Sequence, residues 1–213
     1  MKPIRSVMVA WFGAMLICTG GCADAMGWMA ELFSPDSTDP PLYAVDKHKT
    51  ILVMPDDYYS RLPNDTTRSM LANDLNKLLL EQSVAASTIP FSKLQEAENA
   101  KDFDKLSVDQ VGRQVGADIV LYVIFDNMSL KDDQQNDLWH GRLALRVKLV
   151  DAKTGVRLWP TDREAWPIET VDIAPSSTAA DYAPVLTQEL VTEAAKRITY
   201  LFCEHPSADR LMK

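Results

Sequence analysis

The chain has 213 residues, with 22 basic and 30 acidic side chains and a formal net charge of −8. A negative chain disfavours nucleic acids and anionic lipid head groups as partners, because both bind positively charged protein surfaces. The length, with 46% hydrophobic residues, is enough for one domain with a hydrophobic core.

The first 22 residues have the arrangement of residue types that is typical of a secretory signal. Lys2 and Arg5 form a basic start, residues 7–17 are apolar or small, and small residues precede Cys22. The apolar run is about half of the ~20 residues that a membrane-spanning helix requires. The segment resembles the lipid-attachment site of bacterial lipoproteins, in which the cysteine thiol receives a diacylglycerol, although that pattern usually has Leu where this chain has Thr19. The pattern predicts export and lipid attachment at Cys22.

The residue after the predicted lipid site bears on the membrane that the chain would reach. In the lipoproteins that the segment resembles, an acidic residue at this position is associated with retention in the inner membrane, and this chain has Ala23. The resemblance therefore implies a lipid-anchored protein of the outer membrane that faces the periplasm. A soluble periplasmic or secreted protein is the alternative.

Cysteine usage predicts a domain without an internal disulfide. Cys18 lies within the predicted signal and Cys22 is the predicted lipid site, which leaves Cys203 without a partner. An exported domain of this kind depends on its hydrophobic core for stability. We expect Cys203 to be a buried, unreactive thiol.

Composition also predicts the organisation of the chain. Residues 23–47 are rich in Pro, Ser and Asp, which is typical of an extended linker, here between a lipid anchor and a folded domain. The folded domain is predicted at residues 48–204, and residues 205–213 form a tail.

The first half of the domain alternates strand and helix patterns. Residues 50–54 are apolar, rich in β-branched side chains and followed by Pro55, which predicts a buried strand. Leucines at helical spacing predict an amphipathic helix that begins after residue 64 or 65 and ends near residue 82. A short strand is expected at 86–90 and a short helix at 91–98.

The middle of the domain contains the most apolar run after the signal. Ser107 and Gln110 have the spacing of a capping box, and Gly116 is placed to end the helix with a positive φ. Residues 119–125 then predict a central strand covered on both faces. Residues 126–137 are polar and predict a connection.

The last part of the domain changes to strict alternation. Residues 143–150 alternate apolar and polar side chains, Gly155 supplies a turn residue, and residues 156–159 predict the paired strand. An edge strand is expected at 164–173 and a long C-terminal helix at 181–202. The chain is predicted to be an α/β (α+β) domain with a mixed sheet of about four to six strands packed by helices.

Two segments resemble a known family of bacterial envelope proteins. The helix end Val111–Asp118 (VGRQVGAD) leads into an apolar strand, and Leu149–Trp159 (LVDAKTGVRLW) ends the alternating strand. They resemble the α/β domain shared by the penicillin-binding-protein activator LpoB, the curli-secretion lipoprotein CsgG and the N-terminal domain of TolB. The resemblance covers about residues 49–202, with its specific part at 111–159. It is a fold signature and transfers no catalytic residue.

No catalytic, cofactor or metal site is predicted. His48, His140 and His205 are widely spaced, and a single unpaired cysteine cannot build a zinc site. The acidic residues of the 126–137 connection lack the glycine and closing Glu of a calcium loop. The sequence has no G-x-S-x-G, G-x-G-x-x-G or G-K-[ST] motif.

Aromatic residues beside polar loops are the candidates for recognition. Trp139 and Trp166 flank polar loops, and Tyr58 and Tyr59 lie between the first strand and the first helix. Exposed aromatic side chains are common anchors of protein interfaces. Trp159 is instead expected to pack in the core.

These patterns predict an envelope lipoprotein that is not an enzyme. The resemblance implies that the domain binds another envelope protein and scaffolds or activates it. The expected partner is a glycan synthase or a secretion component. The chain is expected to contact the membrane through its lipid. The alternative is an accessory or subunit of a CsgG-like export complex, which needs a spare pair of alternating segments of about ten residues each to line a pore. An envelope hydrolase is a third reading, which the missing nucleophile motif disfavours. The oligomeric state is left open.

Overall fold

The computed structural model describes residues 38–62, 64–131, 139–173 and 182–207, without the side chain of Lys131. The predicted signal, Cys22 and residues 23–37 of the predicted linker lie outside these ranges, as do the acidic residues at 132–137. One compact unit spans Pro40–His205. The other unit is described only at Thr38–Asp39 and Pro206–Ser207.

The described residues contain nine strands and four α-helices. In chain order the strands are β1 (Thr38–Asp39), β2 (Thr50–Asp56), β3 (Ser87–Ile89), β4 (Ile119–Lys131), β5 (Trp139–Asp151), β6 (Arg157–Trp159), β7 (Trp166–Pro167), β8 (Val171–Ile173) and β9 (His205–Pro206). The helices are α1 (Thr66–Glu81), α2 (Phe91–Glu98), α3 (Val108–Val115) and α4 (Ala183–Tyr200), with a 3₁₀ turn at Phe103–Lys105.

Strands β2 to β8 form one mixed sheet, which confirms the predicted α+β domain with its C-terminal helix. The order is β3-β2-β4-β5, and β6, β7 and β8 each pair with a different part of β5. β3, β2 and β4 are parallel, whereas β4 and β5 form a long antiparallel hairpin. The sheet has seven strands because the predicted edge strand at 164–173 is divided into β7 and β8. Pro167 is accommodated at this edge, opposite Arg146.

The prediction of a polar connection at 126–137 was wrong in its first half. β4 continues to Lys131, and β5 begins at Trp139 rather than at residue 143. A register shift between Phe125 and Asn127 interrupts the alternation, and pairing then resumes. Polar residues after the bulge therefore belong to a strand.

Helices cover both faces of the sheet. α1 and α4 pack side by side on one face, where Leu186 and Leu190 of α4 lie against Gly141 of β5. α3 covers the other face, where Gly112 lies against Val120 of β4. Side chains of neighbouring strand residues point to opposite faces, so the apolar run of β4 is buried between the two layers, as predicted.

Local signals at the helix and hairpin ends are confirmed. Ser107 and Gln110 form the predicted capping box, in which the Ser107 amide donates to the Gln110 side chain at 2.8 Å. Gly116 ends α3 with a φ of 83°, and Gly155 in the β5–β6 turn has a φ of 72°. Both are conformations that L side chains rarely adopt.

The compact unit begins before the predicted domain start at residue 48. Val45 is buried in the core, and the amides of Leu42 and Tyr43 donate to the carbonyl of Leu201 at 2.9 and 3.1 Å. These contacts attach residues 42–45 to the end of α4. Among the helices that the structure describes, none is both long and apolar enough to cross a bilayer.

Candidate interaction site

A cleft lies at the carboxyl end of β2, beside Tyr122 in the first half of the parallel strand β4. β2 is followed by α1 on one face of the sheet, whereas β4 is preceded by α3 on the other. In α/β sheets a crevice beside strand ends at such a change of side is the usual place for a ligand. The cleft has a volume of about 420 Å³ and adjoins a second of about 390 Å³. The residues that line both are Asp56, Arg68, Glu98, Phe103 and Asp104.

Tyr58 lies at the rim of this cleft, and Tyr59 contacts Tyr58. Tyr58 is 78% exposed and Tyr59 is 50% exposed, and their rings meet edge to face with centroids 5.2 Å apart. The loop that carries them is closed by Asp57, whose carboxylate accepts the amides of Arg61 at 2.6 Å and Leu62 at 3.0 Å. The local sequence thus forms a turn that holds two large aromatic rings in solvent.

The floor of the cleft is formed by a hydrogen-bonded pair. The Tyr122 hydroxyl of β4 donates to the Asp56 carboxylate at the end of β2. Burial, together with this acceptor, raises the pKa of Tyr122 above its usual range. Lys148 lies with its Nζ 5.1 Å from the centroid of the Tyr122 ring. Tyr122 therefore stays protonated and acts as a donor.

The helical side of the cleft depends on Arg68 of α1. Its Nε donates to the carbonyl of Pro55 at 3.0 Å, and its guanidinium pairs with Glu98 of α2. Both side chains of this ion pair are about four-fifths buried, with 18% and 21% exposed. The guanidinium carbon also lies 5.8 Å from the ring centroid of Phe91. These contacts join α1 and α2 to the end of β2.

A second charged pair lies beyond Tyr59 on the same face of the hairpin. Arg146 of β5 binds both carboxylate oxygens of Asp126, with nitrogen to oxygen distances of 2.8 to 3.0 Å. This bond raises the pKa of Arg146, and Tyr59 contributes in the same direction. The structure thus places Tyr59 near the paired charges of Arg146 and Asp126.

The two tryptophans predicted as contact residues lie elsewhere. Trp166 pairs with Val147, which places it on the face that α4 covers, and its ring is 5.3 Å from that of Trp159. The Arg163 guanidinium carbon is 4.5 Å from the Trp166 centroid. Trp139 is half-buried at the start of β5. The structure thus brings Tyr58 and Tyr59 together and keeps Trp166 apart from them.

Trp159 and Cys203 have the surroundings that the sequence predicts. Trp159 is 7% exposed and packs edge to face on Phe202, with centroids 5.6 Å apart. The Cys203 thiol is unpaired and buried, and its Sγ donates to the Thr199 carbonyl at 3.4 Å. Burial raises the pKa of Cys203, which favours the unreactive thiol.

Sequence reasoning missed Arg68, Glu98, Asp104 and Asp56 as members of one cleft. These residues are distant in sequence and are brought together by the pairing of β2 with β4 and by the packing of α2 beside α1. A polar residue at the end of a parallel strand, here Asp56, is the signal that could have indicated the cleft. Across the described ranges, no group of three or more potential metal ligands is placed to hold a metal ion.

Comparison with known proteins gives a distant structural likeness. No protein-family model and no curated protein matches the sequence. The lipoprotein GNA1162 from Neisseria meningitidis is 19% identical with a TM-score of 0.43, over 69% of this chain and 98% of that chain. Protein XCC0632 from Xanthomonas campestris is 10% identical with a TM-score of 0.49, over 76% and 85%. A minor lipoprotein from Acinetobacter baumannii is 11% identical with a TM-score of 0.36, over 71% and 90%.

Proposed function

We propose that this chain is an envelope lipoprotein, anchored by Cys22 in the outer membrane and facing the periplasm. Its domain binds another envelope protein, which it scaffolds or activates, and performs no catalysis. In this proposal, we group the chain with the proteins that its sequence resembles, which are LpoB, CsgG and the N-terminal domain of TolB. The observation that carries the binding role is the exposed pair Tyr58 and Tyr59.

Two exposed tyrosines on an ordered turn are suited to an interface. Tyrosine has a large apolar ring and a polar hydroxyl, and it loses little conformational freedom when it is covered. Because Asp57 already orders the turn, a partner gains the burial of both rings without ordering the loop. Trp139 and Trp166, which lie apart from the tyrosine pair, are proposed as additional contact residues.

The proposed partner is a glycan synthase or a secretion component. A pore-lining role in an export complex would need strands that are free of the core. Gly141 of the long hairpin lies against Leu186 and Leu190 of α4, so the outer part of β5 is covered by a helix. This packing favours the scaffolding role over the export role.

Replacement of Cys22 by serine tests the anchor. Without the thiol no diacylglycerol can be attached, so Cys22→Ser is expected to move the protein from the membrane to the soluble periplasmic fraction or to leave it uncleaved. Cell fractionation and intact-mass analysis measure both outcomes, with Cys203→Ser as the matched control that keeps the anchor. A mature wild-type chain with an unmodified N-terminus beyond residue 22 would contradict the lipoprotein assignment.

Replacement of the exposed tyrosines tests the binding role. Tyr58→Ala and Tyr59→Ala are each expected to weaken capture of a specific envelope protein about 30-fold, because an aromatic anchor contributes about 2 kcal/mol or more. The measurement is quantitative capture from crosslinked envelopes, with circular dichroism to verify the fold. Trp139→Ala and Trp166→Ala are measured in the same assay, with a similar loss expected.

Val156→Ala is the matched control, because Val156 is 59% exposed in the β5–β6 turn and is not part of the proposed surface. Tyr58→Phe should retain most of the affinity, since it keeps the ring. Unchanged capture by all four alanine variants would show that the surface is wrong. Turnover of an envelope substrate by the purified protein would contradict the non-catalytic role.

A further inference from the structure

The cleft beside Tyr58 carries an excess of negative charge. Asp56, Asp57, Asp65 and Asp104 line it or its adjoining pocket. Arg68 is the basic residue of these linings, and its charge is already matched by Glu98. The Lys148 ammonium lies outside these linings, 5.1 Å from the centroid of the Tyr122 ring. Within the part of the chain that the structure describes, no ion pair joins any of the four aspartates to a basic side chain. Like charges so placed repel one another, and a bound cation would relieve that repulsion.

Aromatic rings line the same space. Tyr58, Phe103 and Tyr122 contribute to the wall of the cleft, together with apolar atoms of Leu106 and Val108. A cation is attracted to the face of an aromatic ring, and a guanidinium group can also stack on it. Carboxylates combined with rings favour an organic cation with an apolar stem over a small hydrated ion.

The shape of the cleft agrees with an organic cation. Its volume of about 420 Å³ lies in the range of about 300–1,000 Å³ that is typical of small-ligand pockets. The carboxylates do not converge as metal ligands in the ranges that the structure covers. The exposed rings of Tyr58 and Tyr59 at the rim would be covered only by a molecule larger than the cleft itself.

We propose that the cleft binds a lysine or arginine side chain from a basic segment of the partner protein. The cationic head lies between Asp56 and Asp104, the stem contacts Phe103, and the partner backbone covers Tyr58 and Tyr59. This inference rests on the proposed binding function and adds the chemistry of the partner. Charge complementarity selects the occupant. Among the described residues, Asp56 and Asp104 line the cleft and Asp57 and Asp65 line the adjoining pocket, all without a basic partner.

Titration of the full chain in detergent with N-acetyl-arginine amide tests the inference. The chain has six tyrosines, and ¹³C labelling of their rings gives a small set of signals that Tyr→Phe variants assign. We expect the probe to shift the signals of Tyr58 and Tyr122 in a saturable way and to leave that of Tyr43 unchanged. N-acetyl-citrulline amide, which has the same shape without the charge, should produce no saturable shift.

Substitutions that remove single charges identify the carboxylates that bind the cationic probe. Asp104→Asn is expected to weaken probe binding about fivefold, the loss typical of one exposed ion pair. Asp56→Asn should have a similar or larger effect, because Asp56 lies deeper. Glu81→Gln is the matched control, since it removes the same charge from the other end of α1, where Glu81 is exposed and pairs with Lys77.

Each outcome decides between occupants. Equal shifts with the citrulline probe, or equal affinity in Asp104→Asn, Asp56→Asn and Glu81→Gln, would overturn the cationic site. Saturable binding of spermidine that is more than 100-fold tighter would assign the cleft to a free polyamine and overturn the partner side chain. Partner capture through Tyr58 and Tyr59 without probe binding would overturn this inference and leave the proposed function. Probe binding without such capture would retain the cationic site and contradict the proposed function.

Discussion

Replacement of Trp159 by alanine is expected to lower the free energy of unfolding by about 3–5 kcal/mol. Trp159 is 7% exposed, pairs with Leu149 and packs against Trp166 and Phe202. Its removal opens a cavity where β6 meets the end of α4, and the rigid sheet allows only partial collapse. Urea denaturation of the full chain in detergent, followed by far-ultraviolet circular dichroism, measures the change.

Two variants make this experiment specific. Trp166→Ala should lower the free energy of unfolding by less, about 1–2 kcal/mol. Trp166 is only half-buried, so part of its surface is already in water. Trp159→Phe should retain most of the stability, since it leaves an aromatic ring in the cluster. A larger loss for Trp166→Ala than for Trp159→Ala would show that Trp166 rather than Trp159 is the core residue.

Gly112→Val is expected to destabilise the domain by about 3 kcal/mol, at the upper end of the range for overpacking. A Cβ at Gly112 would lie 2.5 Å from Cγ2 of Val120 and 3.0 Å from Cβ of Ala152. Both neighbours are buried and too short to move aside, so α3 must move away from the sheet. The better helix propensity of valine offsets only a few tenths of a kcal/mol. The same denaturation measurement gives the change.

Gln114→Val on the exposed side of α3 is the control for helix propensity and should be nearly neutral. The loss of stability in the double variant Gly112→Ala/Val120→Ala should be smaller than the sum of the two single losses, because Val120→Ala removes the methyl group that a Cβ would meet. Additive losses in this pair would show that Gly112 does not contact Val120.

Much of the sheet could be predicted because its signals are local. The apolar run of β4 and the alternation of β5 each occupy consecutive residues, and Gly116 and Gly155 have the positive φ that their positions predict. The extension of β4 to Lys131 could not be predicted in this way. Its polar residues become a strand only because β5 pairs with them after the bulge.

The site was predictable only at its rim. Tyr58 and Tyr59 are adjacent aromatic residues in a polar stretch, which is a local signal. The cleft beside them depends on the pair formed by Arg68 and Glu98, two residues that meet because α1 and α2 pack near the end of β2. The periodicity of apolar residues describes one helix at a time and does not indicate which helices pack against each other.

The arrangement of β6, β7 and β8 has a consequence for self-association. β5 has 13 residues, and three strands of two or three residues occupy successive parts of its outer edge. These short strands offer few consecutive free amides and carbonyls to a strand from another molecule, so they protect this border against edge-to-edge aggregation. Copies that approach this border would thus meet through side chains and not through a continuous intermolecular sheet.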